Sequence, residues 1–377
     1  MSDSSIRVLL DAHMVGGRET GNETYILNLV RQQSQLLALG FEIRALVKPY
    51  VRLEQDISEI ALRMTSNSDF KRFIEIPRAT QRIQAKGYHV TYHGPFWDNL
   101  PCVVTIHDVS YRQRPFYHSL RNIILQNFFG FFTAARAKAI VTDSEFSKKE
   151  IERVYPFAYG KIFVMLGGAA ASLYPRSNDY ASQVVKNLGV RPPYLFWAGS
   201  FQTRKNVFRL VEAFLRYHSS SDSPVQLVLA ANTNTKLARR LRCVFASEIN
   251  SNKIVMVGYI DDPNVLACLY SGCEAFVFPS LYEGFGLPVL EAMQCGAPVI
   301  TSNVTALPEV AGDAALLVDP TDPEAIAQAI RRVLTDPELR AELRARGLRR
   351  AQQFSWARTA RLTAEAYRFA FGGEQSR

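Results

Sequence analysis

The stretch Phe278-Pro-Ser-Leu-Tyr-Glu-Gly-Phe-Gly-Leu-Pro-Val-Leu-Glu-Ala-Met293 decides how the rest of the chain is read. It opens on the end of a short apolar run, Ala275 to Phe278, which has the length and composition of a buried strand. Gly284 and Gly286 then permit a tight loop with close backbone approach, Pro288 falls at a helix start, and Gly296 ends that helix. Strand, glycine loop and helix together form the unit of a parallel sheet covered by helices. The start of such a helix offers free N–H groups and a positive dipole end to an anion. The same stretch carries two carboxylates in a Glu-x7-Glu arrangement, Glu283 in the loop and Glu291 on the helix. A phosphorylated ligand carrying hydroxyls suits that combination.

The pattern repeats on both sides. Ile6 to Asp11 is a branched, apolar run, and apolar residues recur at helical spacing from Glu23 to Leu39. Phe41 to Val47, Val90 to His93, Val103 to Ile106 and Ala139 to Thr142 continue the alternation. A second set starts at Tyr194 to Ala198 and continues through Gln226 to Ala230, Ile254 to Val257, Ala275 to Phe278, Ala297 to Thr301 and Ala315 to Val318. Its helices are expected over Val207–Tyr217, Pro263–Tyr270, Pro288–Cys295 and Pro323–Leu334. The reading is therefore α/β, with two doubly wound parallel-sheet domains. Pro175, Asn178, Gly189, Pro192 and Pro193 place the boundary between Tyr174 and Pro193. Ligands of such sheets sit beyond strand C-terminal ends, so two facing domains are expected to form a cleft.

Bulk properties narrow the class. The chain has 377 residues, 47% of them hydrophobic and 21% charged, as in a soluble globular enzyme with two full cores. The longest apolar region, Ile123 to Val141, is interrupted by Gln126, Asn127, Arg136 and Lys138 and falls short of a membrane span. No secretory leader precedes Asp11, so a cytoplasmic location is expected. Five cysteines without a Cys-x-x-Cys pair read as free thiols rather than a zinc site or disulfides. The net charge of +9 is spread over both halves and suits nucleotide sugars or an anionic membrane face as well as nucleic acid.

Several segments together resemble the retaining glycosyltransferases of family four. Besides the Glu-x7-Glu element, these are Trp197-Ala-Gly-Ser-Phe-Gln-Thr-Arg-Lys-Asn206, Val257-Gly-Tyr-Ile260, Pro298-Val-Ile300, Leu307-Pro-Glu-Val-Ala-Gly-Asp313 and Phe354-Ser-Trp356. Thr105-Ile-His-Asp108 and Thr142-Asp-Ser-Glu-Phe-Ser147 are similar to family segments in the first half. The resemblance covers nearly the whole length. It implies a GT-B fold of two Rossmann-like domains: residues 1–180 on the acceptor side, 190–355 on the donor side, and a C-terminal helix, 356–372, crossing back to the first domain. It also implies transfer of a hexose from a nucleotide-diphosphate sugar, of GDP-mannose or UDP-glucose type, to a glycan or lipid-linked acceptor in polysaccharide or lipopolysaccharide synthesis. Retention of anomeric configuration comes with the family. No nucleic acid is expected as a partner, whereas peripheral contact with the cytoplasmic face of the plasma membrane is compatible with the charge.

Carried residue by residue, the resemblance places Glu283 against the donor hexose and Glu291 on the ribose hydroxyls. The backbone of Gly284, Phe285, Gly286 and Leu287 would meet sugar and phosphates. Arg204 and Lys205 would hold the diphosphate, with Ser200 beside them, and Tyr259 would stand near the base. No Asp-x-Asp metal motif occurs in a suitable place, so these cations are expected to do the work of a metal, with no cofactor. Asp261-Asp262 precedes Pro263 and reads as a helix cap. In the first half, His107 is a candidate for orienting the donor sugar or the acceptor hydroxyl. Gly21 is the candidate for close approach to the diphosphate, although Asn22 and Glu23 depart from the usual small or apolar residues there. Gly16 and Gly17 shape the preceding loop.

Two features have plainer expectations. Phe128, Phe129, Phe131 and Phe132 among basic residues could form a membrane-dipping helix, but the resemblance puts a core helix there, and core packing is expected. The basic region Arg63 to Lys86 reads as solvent-exposed structure, or as an acceptor or membrane face. The rival readings are a nucleotide-sugar epimerase or dinucleotide oxidoreductase, and a non-catalytic nucleotide-sugar binding protein. The Gly-x-Gly-x-x-Gly fingerprint is missing between Asp11 and Gly21, against the oxidoreductase.

Overall fold

The computed structural model describes residues 5–16, 20–51, 58–66, 68, 70–219, 221 and 224–372; Gly17 lies outside them. The chain divides into two compact units, Met1–Gly168 with Ser355–Arg377, and Ala169–Phe354.

The first unit contains β1 (Ile6–Asp11), β2 (Phe41–Val47), β3 (Ala61–Arg63), β4 (Gly87–Thr91), β5 (Cys102–Thr105), β6 (Ala139–Thr142) and β7 (Ile162–Val164). They form one sheet in the order β3-β2-β1-β4-β5-β6-β7, parallel throughout. Branched residues bury both faces: Val8, Leu10, Ile43 and Val141 face one core, and Leu9, Leu46, Val104 and Ile140 the other. Near-continuous apolar strands are what a sheet covered on both sides requires. The helix Trp356–Phe371 completes this unit from the far end of the sequence, burying Trp356, Ala360, Ala364, Tyr367 and Phe371 in the first core. Their spacing is one helical face. The Tyr367 hydroxyl pairs with His89 Nδ1 at 2.8 Å, so the apolar seam also satisfies a buried imidazole.

The second unit contains β8 (Tyr194–Ala198), β9 (Gln226–Ala230), β10 (Ile254–Gly258), β11 (Ala275–Phe278), β12 (Val299–Ser302) and β13 (Ala315–Val318). Their order is β10-β9-β8-β11-β12-β13, again parallel. In each sheet the strand order reverses once: between β1 and β4 in the first, and between β8 and β11 in the second. Ligands of doubly wound sheets bind outside the carboxyl ends of the strands at such a reversal.

The dividing point lies earlier than the prolines and glycines suggest. Residues Asn178–Lys186 form a helix of the second unit, and the Arg176 amide donates to Ser271 Oγ at 3.0 Å. The punctuating residues flank this helix and lead into β8; they do not mark a linker. The region from Glu23 to Leu39 is two helices, Thr20–Arg31 and Gln33–Ala38, rather than one. Asp262 caps Pro263–Ser271 as expected, accepting from the Asn264 amide at 2.8 Å. All five cysteines are free thiols, buried except Cys243.

Candidate active site

At the reversal in the second sheet, the loop after β8 and the loop after β11 are tied together before any ligand is considered. Asn206, in left-handed conformation at φ +60°, donates from Nδ2 to the carbonyls of Pro279 and Pro320. The Leu281 amide donates to the Arg204 carbonyl at 2.7 Å. Into this frame comes Glu283, only 6% exposed. Its Oε1 accepts from Lys205 Nζ at 2.7 Å and Ser280 Oγ at 2.6 Å, and its Oε2 accepts from Arg204 Nη1 at 3.0 Å. Arg204 Nη1 also donates to the Tyr282 carbonyl, and Lys205 lies 4.9 Å from the centre of the Phe278 ring.

Burial alone would favour a protonated Glu283, but the charges of Lys205 and Arg204 outweigh it and hold the carboxyl below its ordinary range. Two cations are thereby fixed beyond the carboxyl ends of β8 and β11. A carboxylate has about four acceptor positions, so Oε2 keeps capacity for a further hydroxyl. Gly286, at φ +118°, is the residue before the helix Leu287–Gln294. A Cβ there would meet Leu307 Cδ2 at 2.7 Å, so both backbone and space demand glycine. Pro288 sits within the first helical turn.

In the first unit, polar side chains gather beyond the ends of β1, β4, β5 and β6. Arg72, at the start of the helix Arg72–Arg82, is only 2% exposed, which corrects the expectation of solvent-exposed structure from Arg63 to Lys86. Its Nη1 donates to Asp11 Oδ2 at 2.5 Å and its Nη2 donates to His93 Nδ1 at 3.0 Å. His13 Nδ1 pairs with the other Asp11 oxygen at 2.9 Å. Burial opposes the Asp11 charge, yet His13 and Arg72 hold its carboxyl far below the usual range. Burial and the nearby Arg72 charge push His93 down to about 4, so it is neutral at pH 7. Having accepted at Nδ1, it carries its proton on Nε2.

On the next strands, His107 Nδ1 meets Asp143 Oδ2 at 2.5 Å, while His107 Nε2 is buried with no hydrogen-bond partner. Tyr25 and Tyr92 present their rings at 5.2 and 5.7 Å. Tyr92 has φ +60°, a conformation a bulky residue holds only at a cost of about 1–3 kcal/mol, and such positions cluster at functional sites.

Comparison with known proteins gives this arrangement a family. Residues 181–350 match Glycosyl transferases group 1, and residues 20–169 match Glycosyltransferase Family 4. The O-antigen chain mannosyltransferase B of Escherichia coli is 35% identical over 283 residues, covering 74% of this chain and 74% of that protein. The chain belongs to glycosyltransferase family 4. Sucrose-phosphate synthase from Thermosynechococcus elongatus has the same fold, with a TM-score of 0.78 at 22% identity over 98% of this chain and 100% of that one. So does Anabaena Alr3699/HepE, solved in complex with UDP and glucose, with a TM-score of 0.72 at 18% identity over 96% and 98%. The family 4 protein is thus a glycosyltransferase of GT-B fold, which displaces the epimerase and binding-protein readings.

The remaining candidates of this family 4 enzyme fall as follows. Ser200 lies in the β8 loop, partly exposed. Tyr259 follows β10, two strands from β8, and the residue is 47% exposed, so it is not core packing. Phe285 buries its ring against Phe354, leaving only its backbone for a ligand. Gly21 lies in the first turn of Thr20–Arg31, and a Cβ there meets nothing within 4 Å; packing inside its unit does not require glycine. Glu23 has a structural task, accepting from the Gly16 amide at 2.6 Å. Sequence reasoning missed Asp143, Arg72 and Asp11, although the segment containing Asp143 was singled out.

Glu291, on Leu287–Gln294, accepts from the Tyr270 hydroxyl at 3.1 Å, and burial pushes its carboxyl up to about 7. A raised carboxyl means that the unfolded chain loses this proton first, so stability declines as pH climbs from the ordinary carboxylate range through about 7. A shift of that size is worth up to ~3 kcal/mol, and less here because Glu291 keeps part of its surface in solvent. In the ligand-free enzyme, Glu291→Gln should therefore raise Tm by about 2–6 °C at pH 8 and leave it nearly unchanged at pH 5. Equal shifts at both pH values in a thermal melt would refute the assignment.

Proposed function

We propose that the enzyme transfers a hexose, mannose in the first instance, from a nucleotide-diphosphate sugar to a hydroxyl of a glycan or lipid-linked acceptor of a surface polysaccharide. The anomeric configuration is retained and no metal takes part. The observation that carries this reading is the pair Arg204 and Lys205, held by Glu283 at the sheet reversal. Breaking the bond between sugar and phosphate leaves about one additional negative charge on the diphosphate, and preorganised cations stabilise that charge more in the transition state than in the ground state. The choice of mannose is supported by the name of the Escherichia coli relative, and a nucleotide donor by the UDP and glucose held by the Anabaena neighbour.

Glu283 serves as anchor for both cations, with its remaining acceptor capacity turned to a hexose hydroxyl. A carboxylate so strongly neutralised is a poor nucleophile, so a covalent glycosyl intermediate on Glu283 is disfavoured. The leaving phosphate would then take the acceptor proton. Glu291 would receive the ribose hydroxyls, Gly284 to Leu287 the sugar and phosphates through their backbone, and Ser200, Tyr259 and Gly21 the periphery of the donor.

Purified protein incubated with GDP-, UDP- and ADP-sugars should transfer hexose to an acceptor or slowly hydrolyse one donor. Activity should be unchanged by EDTA. Absence of both transfer and hydrolysis across the panel would defeat the reading, and loss on chelation restored by Mg2+ or Mn2+ would defeat its metal-free mechanism.

A further inference from the structure

Thr305 holds a backbone conformation that its side chain disfavours. It stands in the loop after β12 with φ +61°, in the left-handed region where a β-branched residue is an outlier. Both ends of this loop are fixed. Ser302 Oγ donates to the Ser280 carbonyl at 2.7 Å, and the Asn303 amide donates to the Val318 carbonyl at 2.8 Å. On the other side Leu307, fully buried, opens the helix Leu307–Ala311. Strain persists where the surroundings over-determine it in this way, and such positions cluster at functional sites.

What the strained residue touches is Glu283. Thr305 Oγ1 donates its own proton to the Val304 carbonyl at 2.7 Å and accepts from the Glu283 amide at 3.3 Å. The next amide, that of Ala306, donates to the Glu283 carbonyl at 3.4 Å. Two consecutive residues of the β12 loop thus hold both main-chain groups of Glu283, while its side chain holds Lys205 and Arg204. One residue further on, Leu307 Cδ2 takes the space that a Cβ at Gly286 would need. β12 lies beside β11, on the side opposite β8, so this loop supports the glycine loop from the flank away from the two cations.

A glycine would adopt the conformation of Thr305 freely. It would have no oxygen to receive the Glu283 amide. Backbone geometry therefore does not account for a threonine here, and the hydroxyl does.

We propose that Thr305 is a positioning residue for sugar transfer: its hydroxyl fixes the main chain of Glu283, so that the carboxylate sets Lys205 and Arg204 for the leaving diphosphate. The inference rests on the sugar-transfer reading of this site. A misplacement of about 1 Å by a remote change costs on the order of a hundredfold in rate, and cations that meet developing charge act on kcat more than on ground-state binding.

Wild-type protein is assayed with the panel of GDP-, UDP- and ADP-sugars, and kcat, donor KM and Tm are then compared for three variants on the donor that turns over. Thr305→Gly should lower kcat by about tenfold to a hundredfold with donor KM changed less than about threefold. Its Tm should stay within about 3 °C of wild type, because released strain offsets the lost hydrogen bond. Thr305→Val keeps the branch without the hydroxyl; it should lose as much kcat and also Tm, since the Glu283 amide is left unpaired. Thr305→Ser restores the acceptor and should keep kcat within about threefold of wild type. Hydrogen exchange at the Glu283 amide, which needs no donor, should be about tenfold faster or more in the Gly and Val variants than in wild type and the Ser variant. Wild-type kcat in Thr305→Gly, a Ser variant as slow as the Gly variant, equal exchange in all four proteins, or losses of kcat that merely track Tm would each overturn the proposal. A wild type that turns over no donor defeats the sugar-transfer reading and this inference with it; an active wild type beside an undiminished Thr305→Gly defeats this inference alone.

Discussion

Arg204→Ala combined with Lys205→Ala lowers kcat by about a thousandfold, while KM for the donor changes less than tenfold. The direction follows from where the charge develops. Each preorganised donor to a leaving group is worth about 10²–10³ in rate when removed, and interactions that strengthen in the transition state are lost from kcat rather than from ground-state binding. The same change costs stability, because Glu283 is left buried without its cations; losing the partners of a buried charge costs about 3–5 kcal/mol. Adding Glu283→Gln removes the stranded charge, so the triple variant regains most of the lost Tm and none of the turnover.

The pH dependence has a definite sign. Glu283 is held below the ordinary carboxylate range, so its contribution is present above that range and lost as the pH falls below it. The double variant loses this contribution and should be least stable, relative to wild type, at neutral and higher pH. Melts from pH 4 to 8 with parallel turnover assays check both parts. A double variant with kcat within threefold of wild type, or a triple variant whose activity returns with its Tm, removes Arg204 and Lys205 from the chemistry.

How much of this was legible in the sequence depends on how local each feature is. Tyr194–Ala198, Gln226–Ala230 and Ala275–Phe278 read correctly because a fully buried parallel strand must be an unbroken apolar run. The edge strands Ala61–Arg63 and Ile162–Val164 are three residues long, too short for a pattern to register. The helix Asn178–Lys186 was hidden by its own flanking signals, since the residue types that punctuate a linker also flank a helix. The helix Pro337–Ala351 was missed because it is rich in arginine and buries few residues.

The meeting of Arg204, Lys205 and Glu283 was readable because the three sit in short loops after strands that neighbour each other. Arg72 was not: it looks like one basic residue among many, and it is buried only because Asp11, 61 positions away, faces it across the sheet reversal. The core packing expected of Phe128, Phe131 and Phe132 failed for the complementary reason, since all three are exposed. Periodicity reports that a helix has an apolar face, and nothing in the segment says what that face meets.

Asp143 belongs to the same non-local class, and it carries the second large effect. It stands one residue past β6, where a sequence reader sees only the approach to the helix capped by Ser144. Thirty-six positions earlier, His107 leaves β5, the neighbouring strand, and the two meet at Nδ1 and Oδ2. The carboxylate fixes the Nδ1 proton and leaves Nε2, buried and unpartnered, as the atom that would meet a sugar hydroxyl. Burial works against a charged His107, but Asp143, with a smaller contribution from Asp108, raises its pKa nonetheless. The buried His89 beside it is pushed the other way, down to about 3, so a single imidazolium is favoured in this corner. The rings of Tyr25 and Tyr92 flank it edge to face.

If the protonated ring donates from Nε2 to the substrate, kcat/KM should fall on the alkaline side as pH passes the raised pKa of His107. Asp143→Asn keeps the size and removes the charge. The alkaline limb should then move toward lower pH, and kcat at pH 7.5 should drop by about a hundredfold, the size of losing one charge-assisted donor in the transition state. Asp143→Glu should recover part of both, and His107→Ala should abolish the limb. The raised pKa also means that His107 adds stability below its unfolded value and loses it as pH rises through the folded one, so Asp143→Asn should destabilise more at pH 6 than at pH 9. A variant with the wild-type pH profile and reduced Tm alone would show that Asp143 merely supports the fold.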